Sequence, residues 1–456
     1  MIQVDWQEMG AEAVHRLQEM LRFDTTNPPG GELELVRHLA AEAEREGLAI
    51  QVFEPTEARG NLVVRLKGDG SERPILFLSH LDVVPAEPDK WTHPPFGGTV
   101  ADGFVWGRGA IDSKLTGAVQ MQVILMCKRL GLPLKRDLVL VAAADEERGG
   151  TWGVQWLVEQ QGEIFDAEYG INEAGGFALM VDGKPLYTCQ VAEKGSAPVD
   201  LVGKGRPGHS SVPHGDNAIF ALAEALQALG KGQMAHRVVP SVRAFFEGAA
   251  EAMDRPEVAD LLREVLNPQR CEAALEALPV GEATRLMFAA MVRNTCAPTV
   301  LDGGLKRNVI PSEVRAQLSG RPLPGVEEAA FLEEVRNLAG ETARPELVEP
   351  FRSGVAFAHK TPLFEAIRDS MARFDSDGVV VPYMQTGGTD GRFLKDLDMQ
   401  IYGFIPMRYE SGMDFFDLCH GHDERVSVDN VQFAVQVLFD VICRLNRIPY
   451  SEACAC

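Results

Sequence analysis

The chain has 456 residues, which is long for a single hydrophobic core and predicts about two or three domains. Its composition, 45% hydrophobic and 24% charged, is typical of a globular protein. With 44 basic and 66 acidic residues the formal charge is −22, which argues against nucleic-acid binding because that function needs a basic surface.

The N-terminal residues lack the basic and apolar segments of a signal peptide, and no apolar stretch is long enough to span a bilayer. Eight cysteines are scattered along the chain, which favours a reducing compartment over a disulfide scaffold. We therefore expect a cytoplasmic protein without a membrane partner. Cys454 and Cys456 could bind metal or oxidise, but a frayed, functionally silent terminus is favoured.

Strand-like and helical patterns alternate in the first part of the chain. Apolar residues at helical spacing predict helices over residues 6–21, 32–46, 114–130 and from 152 onward. Apolar runs predict strands over residues 50–53, 61–66, 74–79 and 137–143. This alternation indicates an α/β fold with a mainly parallel central sheet.

The pattern changes after Tyr187. Strands and helices are predicted at residues 196–202, 217–229, 309–318 and 326–338, with an Ala- and Glu-rich helical stretch at 244–278. This order suggests a smaller α+β domain with antiparallel pairing. The α/β pattern resumes later, through residues 362–374, 401–405 and 428–445. The predicted division is therefore 1–191 and 351–456 for one domain, with 192–350 inserted.

Acidic and histidine residues stand where apolar runs end. They are His80, Asp82, Asp112, Glu146, Glu147, Glu173, His420 and His422. Such groups at the ends of buried strands are costly unless a cation binds them. Mixed histidine and carboxylate ligands favour zinc or a similar divalent ion.

Each residue taken alone has an ordinary structural explanation. His80 could be a core or loop histidine, Asp112 could cap a helix, and residues 423–425 could be plain surface. Glu146 and Glu147 could form an exposed acidic loop. Adjacent carboxylates after a buried strand nevertheless suggest that one binds metal while the other acts as a general base. The combination favours a metal site.

Four motifs resemble those of the cocatalytic dizinc amidohydrolases and metallopeptidases. That family includes acetylornithine deacetylase, succinyl-diaminopimelate desuccinylase, aminoacylase, carboxypeptidase G and related dipeptidases. The motifs are Ser79-His80-Leu81-Asp82, Gly107-Arg108-Gly109-Ala110-Ile111-Asp112-Ser113-Lys114, Asp145-Glu146-Glu147 and His420-Gly421-His422-Asp423-Glu424-Arg425.

The resemblance implies a particular set of zinc ligands. Asp112 would bridge two zinc ions, for which cobalt or manganese could substitute. His80 and Glu173 would complete the ligands of one ion. Glu147 and His420 would complete the ligands of the other ion. His420 is chosen over His422 because of its distance from the following Asp-Glu pair.

The resemblance also implies how the other residues of these motifs act. Glu146 would be the general base, and Asp82 would orient the imidazole of His80. The peptide bond after Asp112 would be cis, as in relatives.

The inserted domain resembles a ferredoxin-like lid or dimerisation domain. His209, in the segment 205–211, would stabilise the oxyanion, often from the partner subunit of a homodimer. Asn308 matches a substrate-binding position. Arg392 matches a region that contacts the substrate carboxylate, although a surface salt bridge is an alternative. The helical stretch at 244–278 makes this domain longer than the compact lid of the family.

The predicted function is zinc-dependent hydrolysis of an amide or peptide bond in a small substrate with a free carboxylate. The reaction would be that of a carboxypeptidase or dipeptidase. A deacylase of N-acyl amino acids is the main alternative. A hydrolase with one metal ion, and a metal-binding protein without catalysis, remain open.

Overall fold

The computed structural model describes residues 2–411, 413 and 415–452, so Cys454 and Cys456 lie outside the described residues. The chain forms two compact units. The first comprises the described parts of Met1–Val191, Phe357–Tyr383 and Thr389–Cys456, and the second comprises Ala192–Ala356 and Met384–Gly388. Within the described residues, no helix is both long and apolar enough to cross a membrane.

The strands, in chain order, are β1 (Ile2–Val4), β2 (Ala49–Phe53), β3 (Asn61–Leu66), β4 (Ile75–His80), β5 (Thr99–Ala101), β6 (Phe104–Trp106), β7 (Leu138–Ala143), β8 (Tyr169–Asn172), β9 (Ala178–Val181), β10 (Lys184–Glu193), β11 (Ala197–Lys204), β12 (Gly208–His209), β13 (Thr295–Gly303), β14 (Val309–Ile310), β15 (Glu313–Arg321), β16 (Ala343–Leu347), β17 (Val355–Ala356), β18 (Val379–Gln385), β19 (Gln400–Gly403), β20 (Arg425–Ser427) and β21 (Tyr450–Glu452).

The helices are α1 (Trp6–Leu21), α2 (Leu33–Arg45), α3 (Lys114–Arg129), α4 (Val154–Gln160), α5 (Ala218–Lys231), α6 (Pro240–Ala252), α7 (Pro256–Glu264), α8 (Cys271–Ala277), α9 (Glu282–Met291), α10 (Glu328–Ala339), α11 (Pro362–Phe374), α12 (Phe415–Leu418) and α13 (Val428–Asn446).

The first unit is built on a central sheet whose strands follow the order β10-β19-β8-β4-β7-β3-β2. The four middle strands β19, β8, β4 and β7 are parallel to one another. The flanking strands β10, β3 and β2 pair antiparallel. The structure thus confirms the predicted α/β class, with the parallel strands at the centre of the sheet.

Apolar side chains cover both faces of this sheet. On β4, Ile75 and Phe77 join one core with residues of α1, α3 and α13, whereas Leu76 and Leu78 join a second core with residues of α4. A strand buried on both faces reads as a continuous apolar run, which is why the pattern at this strand does not alternate. The result is a three-layer α/β/α arrangement.

The two central strands β4 and β8 separate towards their carboxyl ends. Their pairing stops at Phe77 and Ile171. Beyond it, the buried Gln120 of α3 donates its Nε2 protons to the carbonyl oxygens of Leu78, at 3.1 Å, and Ile171, at 3.0 Å. One side-chain amide therefore bridges the backbones of two strands that no longer bond each other.

The second unit contains a four-stranded antiparallel sheet in the order β13-β15-β11-β16. Helices α5 and α10 pack against this sheet and against each other. In chain order the elements are strand, helix, two strands, helix and strand, which is the ferredoxin-like arrangement that the resemblance implies. Three helices, α6 to α8, cover the predicted helical stretch at 244–278, and a fourth helix, α9, follows it before β13.

Two strands of this four-stranded sheet were not predicted from the sequence. β13 contains Pro298, its pairing with β15 shifts register there, and most of its residues are exposed. β16 has the sequence Ala-Arg-Pro-Glu-Leu. Neither strand has the apolar run by which strands are predicted from sequence. Both form because they pair with neighbouring strands, and local sequence does not show that pairing.

We predict that Gln120→Met destabilises the first unit by about 1–3 kcal/mol, because a buried donor shared by two carbonyl groups is lost while the side-chain volume is kept. Urea unfolding followed by circular dichroism measures the change. Gln155→Met is the control, since the Gln155 amide bonds Glu159 at the exposed surface. Equal stability of both variants would contradict the proposed bridging role.

Candidate metal centre and active site

Three neighbouring strands deliver site residues to one edge of the sheet. His80 is the last residue of β4, and Glu173 directly follows β8. Glu146 and Glu147 lie in a short 3-10 turn, Glu146–Arg148, which two residues separate from the end of β7. Because these strands are parallel neighbours, their carboxyl ends meet, as they do at the ligand-binding edge of other α/β sheets.

Asp112 lies between two imidazoles. Its Oδ1 is 3.0 Å from Nε2 of His80, and its Oδ2 is 3.1 Å from Nε2 of His420. The peptide bond between Asp112 and Ser113 is cis. Ser113, not Asp112, is the N-cap residue of α3. The alternative interpretation of Asp112 as a helix cap is therefore wrong.

A further carboxylate accompanies each imidazole. Glu173 Oε2 is 3.0 Å from Nε2 of His80, and Glu147 Oε2 is 3.4 Å from Nε2 of His420. His422 does not join this cluster: its Nε2 is 3.0 Å from Glu87 at the surface. The predicted ligands thus come together as two groups that share Asp112.

Asp82 connects His80 to the turn that carries the two glutamates. The Asp82 carbonyl oxygen is 2.9 Å from Nδ1 of His80. Its carboxylate accepts the backbone N–H groups of Glu146 and Glu147, at 3.0 and 3.1 Å. Since Nδ1 faces an acceptor and carries the proton of the neutral ring, the lone pair of Nε2 points to the carboxylates of Asp112 and Glu173.

The electrostatics of the cluster reflect an excess of acid. Burial raises the pKa of Glu146 well above its ordinary value, which Arg392 opposes, and burial also raises the pKa of Glu147. Burial lowers the pKa of His80. The charge of Glu173 and hydrogen bonds to carboxylates raise this pKa by more, so the net shift is upward. Hydrogen bonds to Asp112 and Glu147 raise the pKa of His420 to about 10.

These residues fit a divalent cation. Ligand atoms of His80, Asp112 and Glu147 lie within 4.8 Å of one another, and so do those of His80, Glu146 and Glu173. The Glu147 atom Oε1 is buried and has no hydrogen-bond partner among the described residues. Imidazole nitrogens facing carboxylates across about 3 Å are the donor set that zinc-like ions prefer.

Arg392 lies beside the predicted general base. Its Nη1 is 3.1 Å from Oε1 of Glu146 and 2.7 Å from the carbonyl oxygen of Thr389. Glu146 and Glu147 are themselves largely covered, with side-chain exposures of 13% and 7%. The alternative of an exposed acidic loop is therefore wrong. The carboxylate that Arg392 contacts, that of Glu146, therefore belongs to this site and does not lie at the surface.

Sequence reasoning missed a polar network that supports Asp82. Asn27 donates to the carboxylates of Asp82, at 2.8 Å, and Asp145, at 3.0 Å. Arg59 donates to Oδ1 of Asn27 at 2.9 Å and to Glu32 at 2.7 Å. Asn27 lies between the predicted helices 6–21 and 32–46, where no local pattern indicates a partner more than fifty residues away along the chain.

Two further residues, one directly before the C-terminal motif and one within it, were also missed. Sγ of Cys419 is 3.0 Å from Oδ2 of Asp112. Glu424 is fully buried, so the alternative that residues 423–425 are plain surface is wrong for this residue. The signal that could have found Glu424 is its place in the same motif as His420.

In the second unit, His209 and Asn308 lie together on a two-stranded ribbon formed by β12 and β14. His209 pairs with Val309, and the Ser210 N–H donates to the Asn308 carbonyl oxygen at 3.1 Å. The His209 side chain is exposed, and its Nδ1 accepts the Ser211 N–H at 3.2 Å.

The fold and the donor set define the class: a metal-dependent hydrolase with an α/β catalytic unit. A model of the peptidase family M20/M25/M40 matches residues 76–444, and the chain belongs to that family. It is therefore a hydrolase of amide bonds, and metal binding is part of its site.

Several relatives cover most of the chain. A probable carboxypeptidase S-like 2 from Dictyostelium discoideum is 28% identical over 406 residues, 84% of this chain and 74% of its own length. The N-fatty-acyl-amino acid synthase/hydrolase PM20D1 of Xenopus tropicalis is 28% identical over 403 residues, 85% and 76% of the two chains. The crystal structure of an M20 family metallo-carboxypeptidase from Sulfolobus solfataricus has a similar fold, with a TM-score of 0.70 at 19% identity over 94% and 98% of the two chains.

We predict that His420→Ala lowers the bound metal from two ions to one per chain, whereas His422→Ala keeps both. The two imidazoles are similarly exposed, 51% and 45%, but only that of His420 faces Asp112 and Glu147. Elemental analysis after dialysis measures the content. The same loss in both variants, or in neither, would contradict the ligand assignment.

Proposed function

We propose that this chain is a two-zinc peptidase that cleaves the amide bond of a small substrate carrying a free carboxylate. The observation that carries this proposal is the position of Asp112, whose two oxygens each face a different imidazole. A carboxylate in this position suits a bridge between two ions about 3.5–4 Å apart. Cobalt or manganese would fit the same donors.

The proposed ligands form two groups, which correspond to the contacts of the two imidazoles. His80 and Glu173 would hold one ion and Glu147 and His420 the other, with Asp112 shared. When bound, such a pair polarises the scissile carbonyl group and lowers the pKa of an attacking water.

The remaining residues of the first unit handle protons and orientation. We assign Glu146 as the general base, which takes a proton from the attacking water and returns it to the leaving nitrogen. Arg392 holds one oxygen of Glu146 by a hydrogen bond. Asp82 keeps the proton of His80 on Nδ1, which leaves Nε2 free to bind metal. That Arg392 also binds the substrate carboxylate stays a prediction.

Peptides and N-acyl amino acids are the two substrate classes to separate. The similarity to a probable carboxypeptidase favours peptides, and the similarity to an N-fatty-acyl-amino acid synthase/hydrolase supports N-acyl amino acids as the second candidate. Both substrates present an amide beside a free carboxylate. Assays of the hydrolysis of dipeptides, acetyl-amino acids and long-chain acyl-amino acids distinguish the two classes. Each substrate is also tested with an amidated C-terminus, and we expect amidation to remove activity.

We predict that Glu146→Gln keeps two metal ions and the wild-type unfolding temperature but lowers kcat about 10²–10⁴-fold on the best substrate of that panel. The amide keeps the size of the side chain and loses only its capacity to accept a proton. Glu163→Gln, at an exposed glutamate nearby in sequence, is the matched control. Unchanged turnover of Glu146→Gln would exclude the mechanism.

A metal-binding protein without catalysis would hold two ions and hydrolyse no member of the panel. A hydrolase with one metal ion would turn over substrate with about one ion per chain. Both outcomes would contradict the proposal in distinguishable ways.

We further propose that His209 stabilises the oxyanion and that Asn308 contacts the substrate from the same ribbon. Because Nδ1 of His209 accepts the Ser211 N–H, the proton of the neutral ring lies on Nε2, where it can be donated. A preorganised donor of this kind stabilises the negative charge that develops on the carbonyl oxygen.

We predict that His209→Ala lowers kcat about 10²–10³-fold with little change in KM, since the interaction strengthens only in the transition state. His15→Ala, at an exposed histidine of α1, serves as the control. Steady-state kinetics on the best substrate decide the outcome, and a wild-type kcat in His209→Ala would remove this residue from the mechanism.

The chain also offers an edge for pairing with a second copy. On β13, an edge strand of the ferredoxin-like sheet, Val300 and Leu301 are 46% and 69% exposed. We propose a homodimer through this unit. Mixing Glu146→Gln with His209→Ala subunits restores activity only if His209 acts on the partner's site, which separates action across the dimer from action within one chain.

A cytoplasmic location remains our proposal. All six cysteines among the described residues are free thiols, which suits a reducing compartment.

A further inference from the structure

A buried ion pair joins the loop that carries Asp112 to the turn that carries His420. Arg108 and Glu424 are 2% and 0% exposed, and Nη1 of Arg108 is 2.7 Å from Oε2 of Glu424. The mechanism proposed above uses neither residue. Burying two charges is costly unless every polar atom is well bonded, so the partners of this pair are informative.

The Glu424 carboxylate accepts backbone protons from the Asp112 loop. Its Oε1 accepts the N–H groups of Ile111, at 2.7 Å, and Asp112, at 3.0 Å. Its Oε2 accepts the N–H of Gly109 at 3.1 Å as well as the Arg108 proton. The carboxylate therefore fixes the backbone of Asp112 itself.

The guanidinium group of Arg108 binds the other segment. Its Nη2 donates to the carbonyl oxygen of Gly421, at 2.9 Å, and is 3.3 Å from that of His420. Trp91 covers the guanidinium, 5.2 Å from the ring centroid to Cζ. One ion pair thus holds two segments that lie more than three hundred residues apart in sequence.

We propose that Arg108 and Glu424 are positioning residues that set the Asp112 carboxylate against the His420 imidazole at the distance a shared metal ion requires. This inference rests on the proposed function through the ligand assignment. The pair touches the backbone of two ligands on one side of the site, whereas His80 and Glu173 are held by strands β4 and β8. Loss of the pair should therefore affect one metal position more than the other.

Glu424→Gln tests the proposal with little change in shape. The amide oxygen can still accept from Ile111 and Asp112, but the NH₂ group then faces the donors of Gly109 and Arg108. We expect the metal content to fall from two ions to one per chain, and the affinity for the second ion, measured by cobalt titration, to weaken about 10–100-fold. Excess metal in the assay should partly restore kcat.

Asp440→Asn is the matched control. Asp440 is also a buried carboxylate, 2% exposed, and is bound by Arg373 at 2.9 Å and Arg444 at 2.6 Å. Its loss should lower the unfolding temperature and leave the metal content at two. A purely structural role for Glu424 predicts this same result for Glu424→Gln, and that result would overturn the proposal.

Arg108→Lys is a second variant in case the first does not fold. The lysine keeps the charge beside Glu424 but cannot also bind the two carbonyl groups, so we expect a smaller loss of affinity for the second ion. Failure of both variants to fold, judged by near-ultraviolet circular dichroism, would show that the pair is structural and would also overturn the proposal. If wild-type protein binds no metal, the proposed function fails instead.

Discussion

The structure depends on one electrostatic constraint: more carboxylates meet at the edge of the central sheet than the nearby cations of the chain can neutralise. Parallel strands β4, β7 and β8 necessarily end side by side, and each is followed by acidic or histidine side chains. Imidazole Nε2 atoms lie about 3 Å from carboxylate oxygens of Asp112, Glu147 and Glu173. A divalent cation is the simplest group that stabilises this arrangement.

The regular elements of the first unit follow from local patterns. The helix predicted at residues 6–21 has the bounds of α1, because a polar cap at Asp5 and an apolar stripe define it without help from the rest of the chain. β13 and β16 could not be recognised: most residues of β13 are exposed and form no apolar run, and β16 pairs with β11, which the sequence places far away. Local sequence therefore predicts elements whose ends and buried faces are marked by nearby residues.

The candidate site divides in the same way. Residues at strand ends, such as His80 and Glu147, are visible because an apolar run stops beside them. Asn27 has no such signal, and the motifs that contain Arg108 and Glu424 do not reveal that these two residues pair with each other across the chain. The sequence therefore predicts the side chains proposed to perform the chemistry. The side chains that hold them in place can be identified only from the folded structure.

The two halves of the cluster differ in their contact with solvent. The side chains of His80 and Glu173 are 1% and 9% exposed, whereas that of His420 is 51% exposed. On the proposed ligand assignment, an ion held by His80 and Glu173 is more shielded from solvent than an ion held by His420. Exchange is then sequential: a chelator strips one position quickly and the other slowly, so the chain passes through a defined form with a single ion.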